Sequence, residues 1–87
     1  MVEEVIKITN QTGIHARPAS LIVQKTNEFD AEIFIIKDNK EVNAKSIMGI
    51  MSLGISQSTE IKIRARGAEE EKAINELKRL IKDKINK

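Results

Sequence analysis

Residues 60–85 read EIKIRARGAEEEKAINELKRLIKDKI. Two periods meet within this stretch. Over residues 60–67, Ile61, Ile63 and Ala65 alternate with Lys62, Arg64 and Arg66. Alternation of this kind marks a strand with one dry face and one wet face. After Gly67 the spacing changes. Ala73, Ile74, Leu77, Leu80, Ile81 and Ile85 recur as one stripe of an amphipathic helix that runs from residue 68 to residue 85. Glu69, Glu70 and Glu71 stand at its start, where the helix dipole favours carboxylates. A half-wet strand followed by such a helix predicts an α+β fold in two layers, with helices on the dry face of an antiparallel sheet.

The chain upstream fits the same plan. VEEVIKI (2–8) is rich in β-branched residues and reads as a strand, which NQTG (10–13) breaks. From Ala16 to about Asn27, Ala16, Ala19, Ile22 and Val23 share a helical stripe, and Leu21 lies roughly opposite it. EIFIIK (32–37) and KEVN (40–43) flank Asp38-Asn39, a pair that tolerates positive φ and suits a tight hairpin. Ser46 then precedes IMGIMSLG (47–54), a short helix with a serine cap and a closing glycine. The element order is βαββαβα. It predicts an open-faced sandwich: a four-stranded antiparallel sheet covered on one face by two long helices, plus one short helix. Residues 1–87 are expected to form one domain, with no repeats or linkers.

Composition removes several classes of function. The chain has 87 residues, no cysteine and one histidine, so a zinc cluster is excluded and no metal or cofactor is expected. No apolar run reaches a membrane span, and MVEEVIKITN lacks a signal-peptide core. A cytoplasmic, soluble monomer is expected. The net charge is +2, and the basic tail KRLIKDKINK (78–87) reads as the solvated end of a helix. Lys62, Arg64 and Arg66 could form a nucleic-acid face. With no Trp, no Tyr and two Phe, however, almost nothing can stack on bases, and direct nucleic-acid binding is not expected.

GIHARPAS (13–20) holds both the only histidine and the only proline of the chain. If the first long helix starts at Ala16, His15 is its N-cap and the amides of Ala16 and Arg17 point out unpaired. Pro18 is tolerated because first-turn amides have no partner within the helix. Such an end carries partial positive charge and binds anions, and Arg17 adds a permanent cation. Both disfavour imidazolium, so the ring is expected in its neutral, nucleophilic form. An accepted phosphoryl group would meet the helix amides and a guanidinium. The competing reading is an indifferent cap beside a surface arginine.

GIHARPAS together with NAKSIMGIMSLGI (43–55) resembles HPr, the histidine-containing phosphocarrier family of the bacterial phosphoenolpyruvate:sugar phosphotransferase system, and its Gram-positive branch in particular. The resemblance spans essentially the whole chain. It implies an open-faced α+β sandwich and a carrier that is not a stand-alone catalyst. His15 would take a phosphoryl group on Nδ1 from phosphorylated Enzyme I and pass it to the A domains of sugar-specific enzymes II. By the same resemblance, Arg17 neutralises the phosphate and the amides of Ala16 and Arg17 hold it. Ser46 matches a regulatory serine modified by an ATP-dependent HPr kinase/phosphorylase. The modified form in relatives joins catabolite control protein A as a corepressor. Ile47, Met48 and Met51 match an exposed apolar docking patch, to which Leu21 is added here because it lies off its helix's buried stripe. A branch lacking the active histidine is disfavoured by His15. The runner-up function is a mainly regulatory binding module acting through phospho-Ser46. In this comparison, Asn39 replaces a common hairpin glycine and SQST (56–59) lacks another, so that turn is expected to differ in shape.

Overall fold

The computed structural model describes residues 1–86, and Lys87, the last residue of the basic tail, lies outside them. Four strands and three helices follow the predicted order: β1 (Val2–Lys7), α1 (Ala16–Thr26), β2 (Glu32–Lys37), β3 (Lys40–Asn43), α2 (Ile47–Met51), β4 (Glu60–Arg66) and α3 (Glu70–Leu80). The sheet order is β1-β4-β2-β3, antiparallel throughout. β4 is therefore an inner strand, bonded to β1 on one side and to β2 on the other. It carries out the alternation read from the sequence: Ile61, Ile63 and Ala65 are buried, and Lys62 and Arg64 lie on the half-exposed face.

The core between sheet and helices is mostly isoleucine. Ile8, Ile22, Ile33, Ile35, Ile50, Ile61, Ile63, Ile74 and Ile81 are nearly or fully excluded from water, together with Leu77. Each such side chain contributes roughly 1.5–3 kcal/mol of transfer free energy. β-Branched residues suit the strands that supply much of this layer. The hairpin forms as expected, with Asp38 and Asn39 both at positive φ, 50° and 69°. In the turn without glycine, Ser58 itself takes φ 70°. That turn is held by Thr59 N bonding the Ser56 carbonyl at 3.2 Å and by Ser56 N bonding Thr59 Oγ1 at 3.3 Å.

Two expectations about the helices need correction. Ala16 is exposed, and the buried side of α1 consists of Pro18, Ala19, Ile22 and Thr26, with Val23 half-buried beside the core. Ala16 projects from the first turn, beyond the edge of the core, and Pro18 takes the inward position. Thr26 is buried although polar, because its hydroxyl lies 3.1 Å from the Val23 carbonyl and 2.9 Å from the Ala44 carbonyl. The last helix is also not uniform. After Leu80 it widens into a π-helical turn, Ile81–Ile85, closed by Asn86 N bonding the Ile81 carbonyl at 2.7 Å. The turn keeps Ile81 and Ile85 buried and brings Asn86 against β1. There its side chain accepts from Thr9 N at 2.9 Å and donates to the Lys7 carbonyl at 2.8 Å.

Candidate functional site

A tight turn sets the path into α1. Gly13 N donates to the Asn10 carbonyl at 3.2 Å, and Ile14 N donates to the Ile55 carbonyl at 3.0 Å. Gly13 has φ +63°, and a Cβ there would lie 2.2 Å from the Ile55 carbonyl oxygen and 2.8 Å from Ser56 Cα. Only glycine combines that backbone conformation with so close an approach. Ile14 is 4% exposed and anchors the loop in the core. The residue after this anchor returns to the surface, and that residue is His15.

His15 occupies the N-cap position of α1 with extended backbone, φ −91° and ψ −164°, and its side chain makes no capping bond. The ring is exposed and uncommitted. The His15 carbonyl accepts the first helical bond, from Ala19 N at 3.0 Å. The amides of Ala16 and Arg17 lie ahead of that bond, and Pro18 has no amide to offer. Arg17 is exposed and enters no ion pair among the described residues. One helix end therefore gathers an imidazole, two main-chain donors and a guanidinium. Such a set can accept an anionic group on the ring and neutralise it in place. A cavity of about 440 Å³ opens between β1 and the C-terminal turn, lined by Ile6, Lys78, Arg79, Ile81, Lys82, Asp83 and Asn86. None of the candidate site residues lines it. A ring on an open surface is accessible to another macromolecule.

The second conspicuous segment packs beside the first. α1 touches α2, and the Gly13–Ile14 turn rests on Ile55 and Ser56, just after α2. Ser46 caps α2: its Oγ accepts from Gly49 N at 3.0 Å, and its carbonyl accepts from Ile50 N at 3.1 Å. Within α2 the apolar residues divide as helical geometry requires. Ile50 is buried, and Met48 is 83% exposed, with Met51 and Ile47 exposed beside it. Leu21 is half-buried.

Three residues make supporting contacts that were not read from the sequence. Lys37 Nζ donates to the carbonyls of Leu53 and Gly54, at 3.0 and 3.2 Å, and Lys40 Nζ donates to the Ser52 carbonyl at 3.3 Å. These ammonium groups meet the negative end of α2, a favourable arrangement. Asn10 Nδ2 donates to the Gly13 carbonyl at 2.8 Å. A lysine beside a hairpin turn carries no signal of the distant carbonyl it finds, and the bond from Asn10 to a carbonyl three residues on depends on how the turn folds. On the opposite face of the sheet, Arg64 bonds Glu3 and Glu41, Lys62 lies 3.9 Å from Glu3, and Arg66 bonds Glu32 at 2.7 Å. The hydrogen bond from Arg64, reinforced by the nearby positive charges, holds the Glu3 carboxyl below its ordinary range. Three cations face three carboxylates there, which removes the net positive face that nucleic-acid binding needs.

Comparison with known proteins agrees with this geometry. Residues 2–83 match the family model PTS-HPr, described as the PTS HPr component phosphorylation site. The HPr-like protein Crh of Bacillus subtilis is 42% identical over 85 residues, covering 98% of this chain and 100% of Crh. The phosphocarrier protein HPr of Treponema pallidum is 39% identical over 85 residues, covering 98% and 97%. The crystal structure of HPr-C-His from Thermoanaerobacter tengcongensis superposes with a TM-score of 0.94 at 54% identity, covering 100% of this chain and 98% of that one. An HPr dimer from the same organism aligns with a TM-score of 0.79, and a Crh structure described as a swapped dimer with 0.77. Fold and sequence together define a phosphocarrier component of a phosphotransferase system, a protein that carries a group between enzymes and is not itself a catalyst. The chain belongs to the HPr family.

Proposed function

We propose that His15 is the phosphoryl acceptor and donor of this carrier, receiving the group from phosphorylated Enzyme I and delivering it to the A domains of sugar-specific enzymes II in the cytoplasm. The observation that carries the reading is the exposed, uncapped His15 ring at the mouth of α1, beside the amides of Ala16 and Arg17 and the free Arg17 guanidinium. On receipt a lone pair on His15 Nδ1 attacks phosphorus as the donor's P–N bond breaks, and on delivery the acceptor's nucleophile attacks as the P–Nδ1 bond of His15 breaks. The bonding pair returns to the donor ring. A proton on His15 Nε2 stays where it is, and the new charge is met by the first-turn amides and Arg17. In-line positioning within the complex supplies the rate. Met48, Met51 and Ile47, with the half-buried Leu21 of α1 added, form the apolar part of the docking surface, and methionine suits several partners in turn.

Incubation with phosphoenolpyruvate and Enzyme I tests the assignment. The native chain gains one acid-labile phosphate, and His15→Ala gains none while keeping its fold. Since the exposed ring makes no capping bond, that substitution is expected to change stability by no more than about 0.5 kcal/mol. Loss of the folded circular-dichroism spectrum in His15→Ala would favour a structural cap instead.

A second reading gives the chain a mainly regulatory role through phospho-Ser46. The Ser46 hydroxyl at the start of α2 supports it, as does the likeness to Crh, described as the Bacillus subtilis catabolite repression HPr. In that role an HPr kinase/phosphorylase modifies Ser46, and catabolite control protein A is the partner of the modified form. An acid-stable, strictly ATP-dependent phosphate without any on His15 is its expected signature. The carrier reading needs only one domain and one copy of the chain. Dimers of the kind described for Crh and for the Thermoanaerobacter protein would show as a doubled mass in sedimentation.

A further inference from the structure

We propose that Asn10 is a positioning residue for phosphoryl transfer, fixing the main chain that carries His15 relative to the first-turn amides of α1. The inference rests on the carrier reading above and deepens it.

Asn10 grips the turn before His15 twice. Its main-chain carbonyl accepts from Gly13 N at 3.2 Å, and its side-chain Nδ2 donates to the Gly13 carbonyl at 2.8 Å. The Gly13 carbonyl and the Ile14 amide belong to one planar peptide. Asn10 holds the oxygen side of that plane, and the Ile55 carbonyl holds its N–H side at 3.0 Å. Buried Ile14 follows, and then His15. The only soft torsions between this clamped peptide and the imidazole are those of Ile14 and His15. Ile14 is packed into the core, and the His15 carbonyl is tied to Ala19 N.

A second observation singles Asn10 out. Its Oδ1 is buried and accepts no hydrogen bond, the one such buried side-chain atom among the described residues. Buried acceptors are ordinarily satisfied. Turning the amide over would not help, because it would set Oδ1 against the Gly13 carbonyl oxygen. The fold thus tolerates an orphaned acceptor in order to keep an N–H on that carbonyl. Thr12 Oγ1, 3.5 Å from Nδ2, gives only a long additional contact. Tolerated dissatisfaction of this kind is characteristic of places where geometry serves function.

The test compares Asn10→Ala with Asn10→Asp. The aspartate keeps the size of the side chain but has no N–H to offer, which separates volume from donation. In steady-state phosphorylation by phospho-Enzyme I, both variants are expected to lose on the order of tenfold in kcat with KM unchanged, because a small misplacement of a reacting group has that effect. The ³¹P resonance of isolated phospho-His15 is expected to move toward that of free phosphoimidazole as the helix amides lose their aim. Folded variants with the native kcat and the native ³¹P shift would overturn the proposal. Should both variants fail to fold, the native protein still decides. A scalar coupling across the hydrogen bond from Asn10 Nδ2 to the Gly13 carbonyl is expected before and after phosphorylation, and its absence refutes the clamp. Native chain that takes no acid-labile phosphate would refute the carrier assignment itself, a different outcome from any of these.

Discussion

At the scale of the residue, Gly13 carries more constraint than any other position near the site. Its φ of +63° and the 2.2 Å separation between a hypothetical Cβ and the Ile55 carbonyl oxygen act together. Gly13→Ala is therefore expected to destabilise the protein by at least about 2 kcal/mol, read from the midpoint of urea unfolding. The loop would move away from Ile55 to relieve the clash, so phosphorylation at His15 should fall as well. A variant with native stability would show that the turn yields easily. That His15 and Arg17 stand at a helix start was legible from residue types, because Pro18 fits only the first turn, whereas the roles proposed for them came from the resemblance to HPr. The contact of Asn10 was not legible, because its partner is a carbonyl chosen by the turn's geometry.

At the scale of the element, α2 is a five-residue helix and depends on its ends. Ser46 satisfies the Gly49 amide at one end, and Lys37 and Lys40 meet the carbonyls at the other. Ser46→Ala removes the cap and is expected to cost about 1 kcal/mol in thermal or urea unfolding. Ser46→Asp keeps an oxygen acceptor and should hold the native stability within about 0.5 kcal/mol. Its charge, beside the proposed docking surface, should nevertheless slow phosphorylation by Enzyme I, as measured under single-turnover conditions. Equal rates in Ser46→Asp and the native chain would remove that electrostatic account. The strands and helices themselves were readable from period. The hairpin was readable too, from the Asp38-Asn39 pair. Two details escaped. Ala16 shares a helical spacing with Ala19 and Val23, but periodicity does not say where a core ends. The π-helical turn at Ile81–Ile85 preserves a plausible i, i+4 apolar spacing, so a regular helix and a widened one look alike in sequence.

At the scale of the whole molecule, ion pairs on the open face of the sheet tie together strands that lie apart in sequence. Glu3 on β1 and Glu41 on β3 both reach Arg64 on β4. The Glu3 carboxyl titrates below its usual value because Arg64 donates to it, and Glu70 does so because the amino terminus and Gly67 N donate to it. A carboxylate whose folded pKa is depressed stabilises the native state above its unfolded pKa. That contribution is lost as pH falls through the lower folded value. Melting temperature should therefore drop as pH is taken below about 4.5, the unperturbed value for these groups. Glu3→Gln should show a shallower acid-side fall than the native chain in melts compared between pH 7 and pH 3. Parallel falls would mean that Glu3 plays no part in acid sensitivity. Which strands become neighbours, β1-β4-β2-β3, was not legible in the alternation of any one of them.

The amide of Asn86 bonds to Lys7 and Thr9 as an adjoining strand would. β1 is an outermost member of the sheet, and a row of vacant peptide groups there invites another chain to add itself. A side chain from the far end of the sequence fills the last rung of that ladder. The widened turn that delivers it thus acts as a stop at that one rung, where an added strand would otherwise find a free donor and a free acceptor.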